Sequence, residues 1–513
     1  MIKRPEMTKI SITVFVLFFL LLSFSTGLWA GEPVPVYRFF SPVFHKQFLT
    51  LDRTERDHLL AHDANWRYDG VAFYAFRQEA PGLVPVYRFW SDVYKSHFFT
   101  IDPAEKEATE RNPEWRYEGI AFYVYPLEAS VSGVVPVFRL WNTREGGHFY
   151  TTFPAEREVL KGEGFRYEHE VFKVYPSYGG QKVVGVHLHP FQDSWRGSGP
   201  LNDYLRKGIL PFNRETGKKH AIVMFFAAWE NGEGMYSFGP RHPDYGEKYE
   251  VGWIAGQIID AGAIPMITWE PWREGGGLDQ PAYRLRRILA GDYDSYIRRF
   301  ARDVRRFRAP VLIRFAHEMN GDYYPWACSL NENNPALYRE AFRHVRRLFQ
   351  EEGATNAYFV WSPNYASPPR VKAPCNDLEA LYPGDDVVDF IGVSVYNWGS
   401  DTSRGPGWRD LDWLLRDFLD HMARYHPDKW VIVAETGCAH DRSPQEVAAW
   451  IKKAYQFLAT RGNVAAVVYF NDFAYHNPGF SDFRVTTGHS WPQFPVPEEI
   501  TQAYREAIRF YLP

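Results

Sequence analysis

Cysteine is scarce in this chain, with three residues among 513. Three thiols cannot form the disulfide framework that holds small extracellular scaffolds together. A concentrated positive charge is also missing: the formal net charge is −4 and no basic block stands out. That excludes nucleic acid as a partner, because phosphate binding needs clustered Lys and Arg. No grouping of Asp, Glu and His has metal-ligand spacing. His187 and His189 end one apolar run and His317 another, but they supply no such pattern. Neither a metal nor a cofactor is expected.

One long apolar run exists, at the N-terminus. Lys3, Arg4 and Lys9 flank "ISITVFVLFFLLLSF", and "GLWAGEP" offers Ala30 before a cut. Residues 1–30 read as an export signal. An uncleaved membrane tether is the alternative, since Ile10 to Trp29 approaches the length that crosses a bilayer. Either way the chain is expected to work outside the cytoplasm, secreted, periplasmic or on the cell surface. Cys328 and Cys375 can form a bridge there if their loops are neighbours, which leaves Cys438 as a free thiol.

Aromatic residues are abundant: 17% of the chain, with 18 Trp and 32 Tyr. Many fall in a unit written three times, starting with "VPVYRFF" at Val34, "VPVYRFW" at Val84 and "VPVFRLW" at Val135. Each start is followed by a "QFLTLD"-like and then a "WRYDGVAFYAF"-like segment. Alternating aromatic and β-branched residues with Gly between them indicate short strands. Three copies of a four-stranded unit close most simply into a β-trefoil-like domain over residues 31–178, because closure removes exposed sheet edges. Phe48, Phe98 and Phe149 are expected either to fill its core or to line shallow sugar sites. "SYGGQK", Ser177 to Lys182, reads as a linker.

From residue 182 to 513 apolar strands alternate with amphipathic helices. Strand candidates begin at Val183, Ala221, Ala263, Pro310, Ala357, Val388, Trp430 and Val464. Apolar positions Tyr293, Tyr296, Ile297, Phe300, Val304 and Phe307 share one helical face. Ser443, Pro444 and Glu446 open another helix with a capping box, and Gly462 stops it. Eight strands with interleaved helices match a (β/α)8 barrel, whose active sites lie where strands end.

Two of those strands end in glutamate. "VLIRFAHEMNGDYYPW" delivers Glu318 after Val311–Ala316, and "VIVAETG" delivers Glu435. Facing each other across a barrel mouth, they would stand about 5 Å apart, the spacing of retaining glycosidases. One carboxyl would protonate a leaving oxygen and the other attack the anomeric carbon. The motifs "HEMNGDYYPW", "WSPN", "YPGDDVVDFIGVSVYN" and "ETG", in this order and spacing, resemble glycoside hydrolase family 26, the β-mannanase-type retaining family on (β/α)8 barrels. The resemblance implies Glu318 as acid/base, Glu435 as nucleophile, His317 as an orienting contact, and Tyr396 beside the nucleophile. Tyr323 and Tyr469 stand where family members often carry Trp, which keeps an aromatic ring and weakens the case for plain mannan.

Tyr323, Trp326, Trp361 and Tyr469 are candidates for stacking on sugar rings. Trp269 and Trp272 are set evenly between sugar subsites and packing. Glu270, in "ITWEPW", is a rival strand-end carboxylate. Strand alternation turns Arg314 inward, as a structural ion pair or a partner of the site's charge. The expected function is an exported endo-β-glycanase on β-1,4-mannan or a related polysaccharide. Mixed-linkage β-glucan, β-1,3-xylan and a cell-made exopolysaccharide are the alternative substrates. A polysaccharide-binding protein without activity is the alternative of another class.

Overall fold

A computed structural model describes residues 31–177, 181–189, 204–231, 234–239, 251–475, 480–486 and 495–512. The N-terminal apolar run and part of the linker lie outside the described residues. Among the described residues, no helix is long and apolar enough to cross a membrane. The chain divides into two compact units, Met1–Gly180 and Gln181–Pro513.

In the first unit each repeat is a strand pair, a helix and a third strand. Repeat one holds β1 (Val34–Ser41), β2 (Lys46–Thr50), α1 (Arg53–His62) and β3 (Arg67–Ala75). Repeat two holds β4 (Val84–Ser91), β5 (Ser96–Thr100), α2 (Pro103–Glu110) and β6 (Arg116–Val124). Repeat three holds β7 (Val135–Asn142), β8 (His148–Thr151), α3 (Pro154–Gly162) and β9 (Phe165–Pro176). The repeat is thus three-stranded, where a trefoil is made of four-stranded units. The segments after Asp52, Asp102 and Phe153 are helical, and the side chains of Asp52 and Asp102 cap the first two helices by accepting backbone N–H groups.

Closure is nonetheless threefold. The third strands meet through β3–β9 pairing and through bridges Phe76↔Tyr123 and Tyr125↔Lys173. Around their meeting point Phe73, Phe122 and Phe172 pack mutually at 5.8–6.3 Å between ring centroids. A cyclic set of ion pairs follows the same symmetry. Arg38 meets Glu156 at 2.8 Å, Arg88 meets Glu55 at 3.8 Å, and Arg139 meets Glu105 at 2.7 Å. Each repeat's first strand is thereby tied to the helix of another repeat. Arg38 and Arg139 are buried, and their second carboxylates, Asp69 and Glu168, help offset desolvation.

The second unit is a closed parallel barrel. Its strands are β10 (Val183–His187), β11 (Ile222–Asn231), β12 (Ile264–Arg273), β13 (Val311–Phe315), β14 (Ala357–Trp361), β15 (Phe390–Asn397), β16 (Val431–Cys438) and β17 (Val464–Phe470). Each pairs in parallel with the next, and β10 pairs with both β11 and β17, so no edge is left. All eight match the strand candidates of the sequence within a few residues, apart from a longer C-terminal end on β11 and β12.

Helices α4 (Val251–Asp260), α5 (Asp294–Phe307), α6 (Pro335–Glu351), α7 (Leu411–Tyr425), α8 (Pro444–Ala459) and α9 (Glu498–Ile508) form an outer layer. Tyr296, Ile297, Phe300, Ala301 and Val304 are the buried face of α5, and the Ser443–Glu446 capping box opens α8. Along each strand, alternate residues serve the helix layer and the barrel interior. Phe359 of β14, for example, meets Phe342 and Phe349 of α6 at 5.7 and 5.1 Å.

Candidate active site

Arg314 of β13 is the inward residue around which the site is organised. It is fully buried, and its guanidinium donates to Ser362 Oγ at 2.9 Å, Thr268 Oγ1 at 3.2 Å and Ser394 Oγ at 2.6 Å. It also donates to Glu435 Oε1 and, at 3.9 Å, to the Met224 sulfur. The other oxygen of Glu435 accepts from the Tyr396 hydroxyl. Between Val433 and Glu435 the β15–β16 register shifts by one, so that Glu435 stands directly opposite Ser394. Such a bulge re-aims a side chain without ending the strand.

After β13 the chain turns sharply, with Ala316 at φ 47° and Glu318 at φ 53°. Left-handed backbone at a non-glycine costs about 1 kcal/mol and persists where the surroundings impose it. Here the Glu318 N–H donates to Ser362 O at 2.7 Å, and the Trp326 indole N–H donates to His317 O at 2.7 Å. The loop then folds back, and the Tyr323 hydroxyl donates to Glu318 Oε2 at 2.5 Å. Gly321 makes that return possible, since a Cβ there would lie 2.7 Å from the Tyr323 ring. A disulfide joins Cys328 in this loop to Cys375 in the loop after β14. Cys438 is free and buried.

One ligand atom each of Glu318, Glu435 and His317 lie within 4.8 Å of one another. These atoms do not suit a metal, because both Glu435 oxygens are already engaged and the Arg314 cation lies against them. Burial, and then the nearby charge of Glu435, hold the Glu318 carboxyl above the usual range. Burial, and then the Arg314 charge, push the His317 imidazole well below its ordinary value, so it is neutral. His317 Nδ1 has no hydrogen-bond partner among the described residues. Tyr396 is held well above the usual phenol range by burial and by Glu435. A third carboxyl, Glu270, accepts from the Trp272 indole at 3.3 Å, and burial pushes it up to about 8.

The structure therefore gathers Glu318, Glu435, His317, Tyr323 and Tyr396. Of the candidate tryptophans, Trp272 borders the site through Glu270 and Tyr324, whereas Trp269, Trp326 and Trp361 do not enter it. Trp361 is fully buried and packs edge-on against Tyr382, on the helix-facing side it shares with Phe359. Trp269 is likewise sealed in the helix layer, 4.4 Å from Phe300 of α5. Tyr469 is buried against Tyr504 of α9, while its neighbour Phe470 faces inward and stacks on His187 at 4.7 Å. Trp326 is fully buried too, stacked under Tyr324 at 4.4 Å, so it supports the His317 backbone instead of meeting a sugar.

Sequence reasoning missed Tyr324, Phe470, Ser362, Ser394 and Thr268 as site residues. Period-two alternation was the available signal. Once Arg314 is inward, Thr268 and Glu270 on the neighbouring strand share its side, and Trp269 between them must point away.

Residues 267–461 match the family model of glycosyl hydrolase family 26. Residues 23–125 and 126–190 match a domain of unknown function, DUF5648. Endoglucanase H of Acetivibrio thermocellus is 30% identical over 327 residues, covering 61% of this chain and 30% of that protein. A β-1,3-xylanase of a Vibrio species is 33% identical over 120 residues, 22% of this chain and 24% of the relative. A mannan endo-1,4-β-mannosidase of Bifidobacterium adolescentis is 24% identical over 189 residues, 36% of this chain and 18% of the relative. This chain thus spans less than a third of the length of each of these relatives.

Proposed function

We propose that this chain, whose barrel belongs to glycosyl hydrolase family 26, is an exported endo-β-glycanase acting by retaining double displacement. The observation that carries the reading is the pair of carboxyls, Glu318 just after β13 and Glu435 within β16, with oxygens inside one 4.8 Å group. That is close enough for direct attack by one carboxylate on the anomeric carbon, with no room reserved for a water between acid and base.

Glu435 is the nucleophile. Its charge is balanced by Arg314, and the Tyr396 hydroxyl fixes the orientation of its second oxygen. Glu318 is the acid/base. With its carboxyl raised above the usual range it donates a proton to the leaving oxygen. The bond from the anomeric carbon to that oxygen breaks as the bond to Glu435 forms. In the second step Glu318, now ionised, takes a proton from water, which displaces Glu435 and regenerates both groups. We assign neutral His317, whose Nδ1 has no partner among the described residues, to a hydrogen bond with a sugar hydroxyl.

β-1,4-Mannan is the first substrate to test. The relatives' names span glucan, xylan and mannan, so mixed-linkage β-glucan and β-1,3-xylan belong beside it. The export reading rests on the charged and apolar N-terminal residues. The test is release of reducing ends from mannan, galactomannan, mixed-linkage β-glucan and β-1,3-xylan, with the product anomer followed by NMR. We expect cleavage of one of them with the β-anomer formed first. Glu435→Ala should lose nearly all turnover, and Glu318→Ala should lose about 10²- to 10⁴-fold. An α-anomer as first product, or full activity in Glu435→Ala, would overturn the mechanism.

A further inference from the structure

We infer that two of the three seams between repeats in the N-terminal unit bind a neutral β-linked polysaccharide, and that the third seam does not. This inference is independent of the catalytic reading of the barrel.

The seams are equivalent by sequence but differ in chemistry. At the seam of repeats one and two, His97 packs on Trp90 at 4.8 Å and on Phe48 at 5.2 Å, and Phe48 meets Trp66 at 6.2 Å. At the seam of repeats two and three, His148 packs on Trp141 and on Phe98, each at 4.8 Å, and Phe98 meets Trp115 at 5.8 Å. At the remaining seam Phe40 and Phe165 replace the tryptophans and Gln47 replaces the histidine. There the two rings pack against a core cluster with Phe149, Leu140 and Leu160, and Gln47 exchanges two 2.9 Å bonds with the Tyr150 backbone. Phenylalanine therefore suffices to close a seam.

Phe40 and Phe165 are half-buried, as are the tryptophans of the other seams; what tryptophan adds at the same exposure is a wider ring with a polar indole edge. The Trp90 indole donates to Asp92 at 3.0 Å, and the Tyr94 hydroxyl donates to Glu114 at 3.2 Å, both at exposed positions. The second seam is also shaped for an added ring. Tyr94 stacks on Trp115 at 5.7 Å and meets Trp141 edge-on at 5.5 Å. It can do so because residue 146 is glycine: a Cβ there would lie 2.4 Å from the Tyr94 ring.

A pyranose ring has an apolar C–H face and a rim of hydroxyls. Partly exposed aromatic rings bordered by carboxylates meet both requirements. The ligand carries no anionic group because the seam arginines are already paired within the unit: Arg88 with Glu118, Arg139 with Glu105 and Glu168. Phe98 and Phe149, by contrast, are buried wedges between repeats.

The test uses the full chain carrying Glu435→Ala, so that polysaccharide is not consumed, co-sedimented with insoluble β-1,4-mannan, cellulose and β-1,3-xylan. We expect retention on at least one of them, weakened about tenfold or more by Trp90→Ala with Trp141→Ala. Tyr94→Ala, at a loop tip, should weaken retention on its own and serves if the double variant fails to fold. Trp413→Ala, removing an exposed barrel tryptophan, should change nothing. Retention unaffected by the seam substitutions, or no retention of the parent on any of the three polymers, would overturn the inference.

Discussion

Arg314 and Glu435 form an ion pair sealed inside the barrel, linking the C-terminal end of β13 to the middle of β16. The pair accounts for an arginine in an otherwise apolar strand: its partner is the carboxylate assigned as nucleophile. Removing the cation leaves a buried charge uncompensated. Arg314→Met should therefore destabilise the barrel by about 3–5 kcal/mol in urea unfolding and abolish turnover. Arg314→Lys keeps the charge but loses the fork that reaches Ser362, Thr268 and Ser394. It should retain more stability than the Met variant and still turn over poorly.

Tyr323, with Arg314 and Ser394, lowers the proton affinity of Glu318. Its hydroxyl bond favours the ionised form, opposing burial and Glu435, which both favour the neutral acid. In Tyr323→Phe the Glu318 carboxyl should rise further. Because the first step needs Glu318 protonated, the alkaline limb of the kcat/KM profile should move to higher pH. A limb that stays in place, or moves down, would remove Tyr323 from this role.

Glu270 makes stability fall as pH rises. Its folded value is raised to about 8, above the ordinary 4.5, so the folded chain holds a proton that the unfolded chain has released. The native state is thus fully favoured below about pH 4.5 and loses on the order of 4 kcal/mol by about pH 8. Glu270→Gln mimics the neutral acid. It should flatten that decline in unfolding experiments run across this window, leaving stability near pH 4 unchanged.

The Cys328–Cys375 bridge spans 47 residues and ties the loop carrying Tyr323 to the loop after β14. Closing a loop of that length in the unfolded chain is worth about 4 kcal/mol. Replacing both cysteines by serine should lower the barrel's melting temperature by several degrees. It should also raise KM more than it lowers kcat, if loop placement is what the bridge protects. Melting curves and initial rates on the same preparation check both.

Much of the barrel was legible because its strands are buried on both sides and read as continuous apolar runs between helical patterns. The Ser443 cap and the apolar face of α5 are local signals, and they appear where the sequence puts them. The repeat is equally plain in its period, yet the middle of each copy is a helix and not the fourth strand that the sequence suggests. After Asp52 and Asp102 the helix rests on a cap and a short polar run, a weaker signal than the aromatic alternation around it.

Residue type and spacing alone pointed to one glutamate just past β13, a second on β16, a tyrosine near the end of β15 and a threefold unit before the barrel; the sequence puts Glu435 at its strand's end, whereas β16 runs on to Cys438. Tertiary structure decided which aromatics meet solvent. Trp361, Trp269 and Tyr469 look like sugar platforms in sequence, but each sits one step out of phase with the inward residues of its strand and packs against helices. Phase is fixed only when neighbouring strands are in register, and at Glu435 a one-residue shift changes it within the strand itself. The ring of Arg–Glu pairs in the first unit and the Arg314–Glu435 pair in the second join residues more than 30 and up to 121 positions apart. No local pattern encodes such distances; they exist because closure of each unit brings first and last elements together.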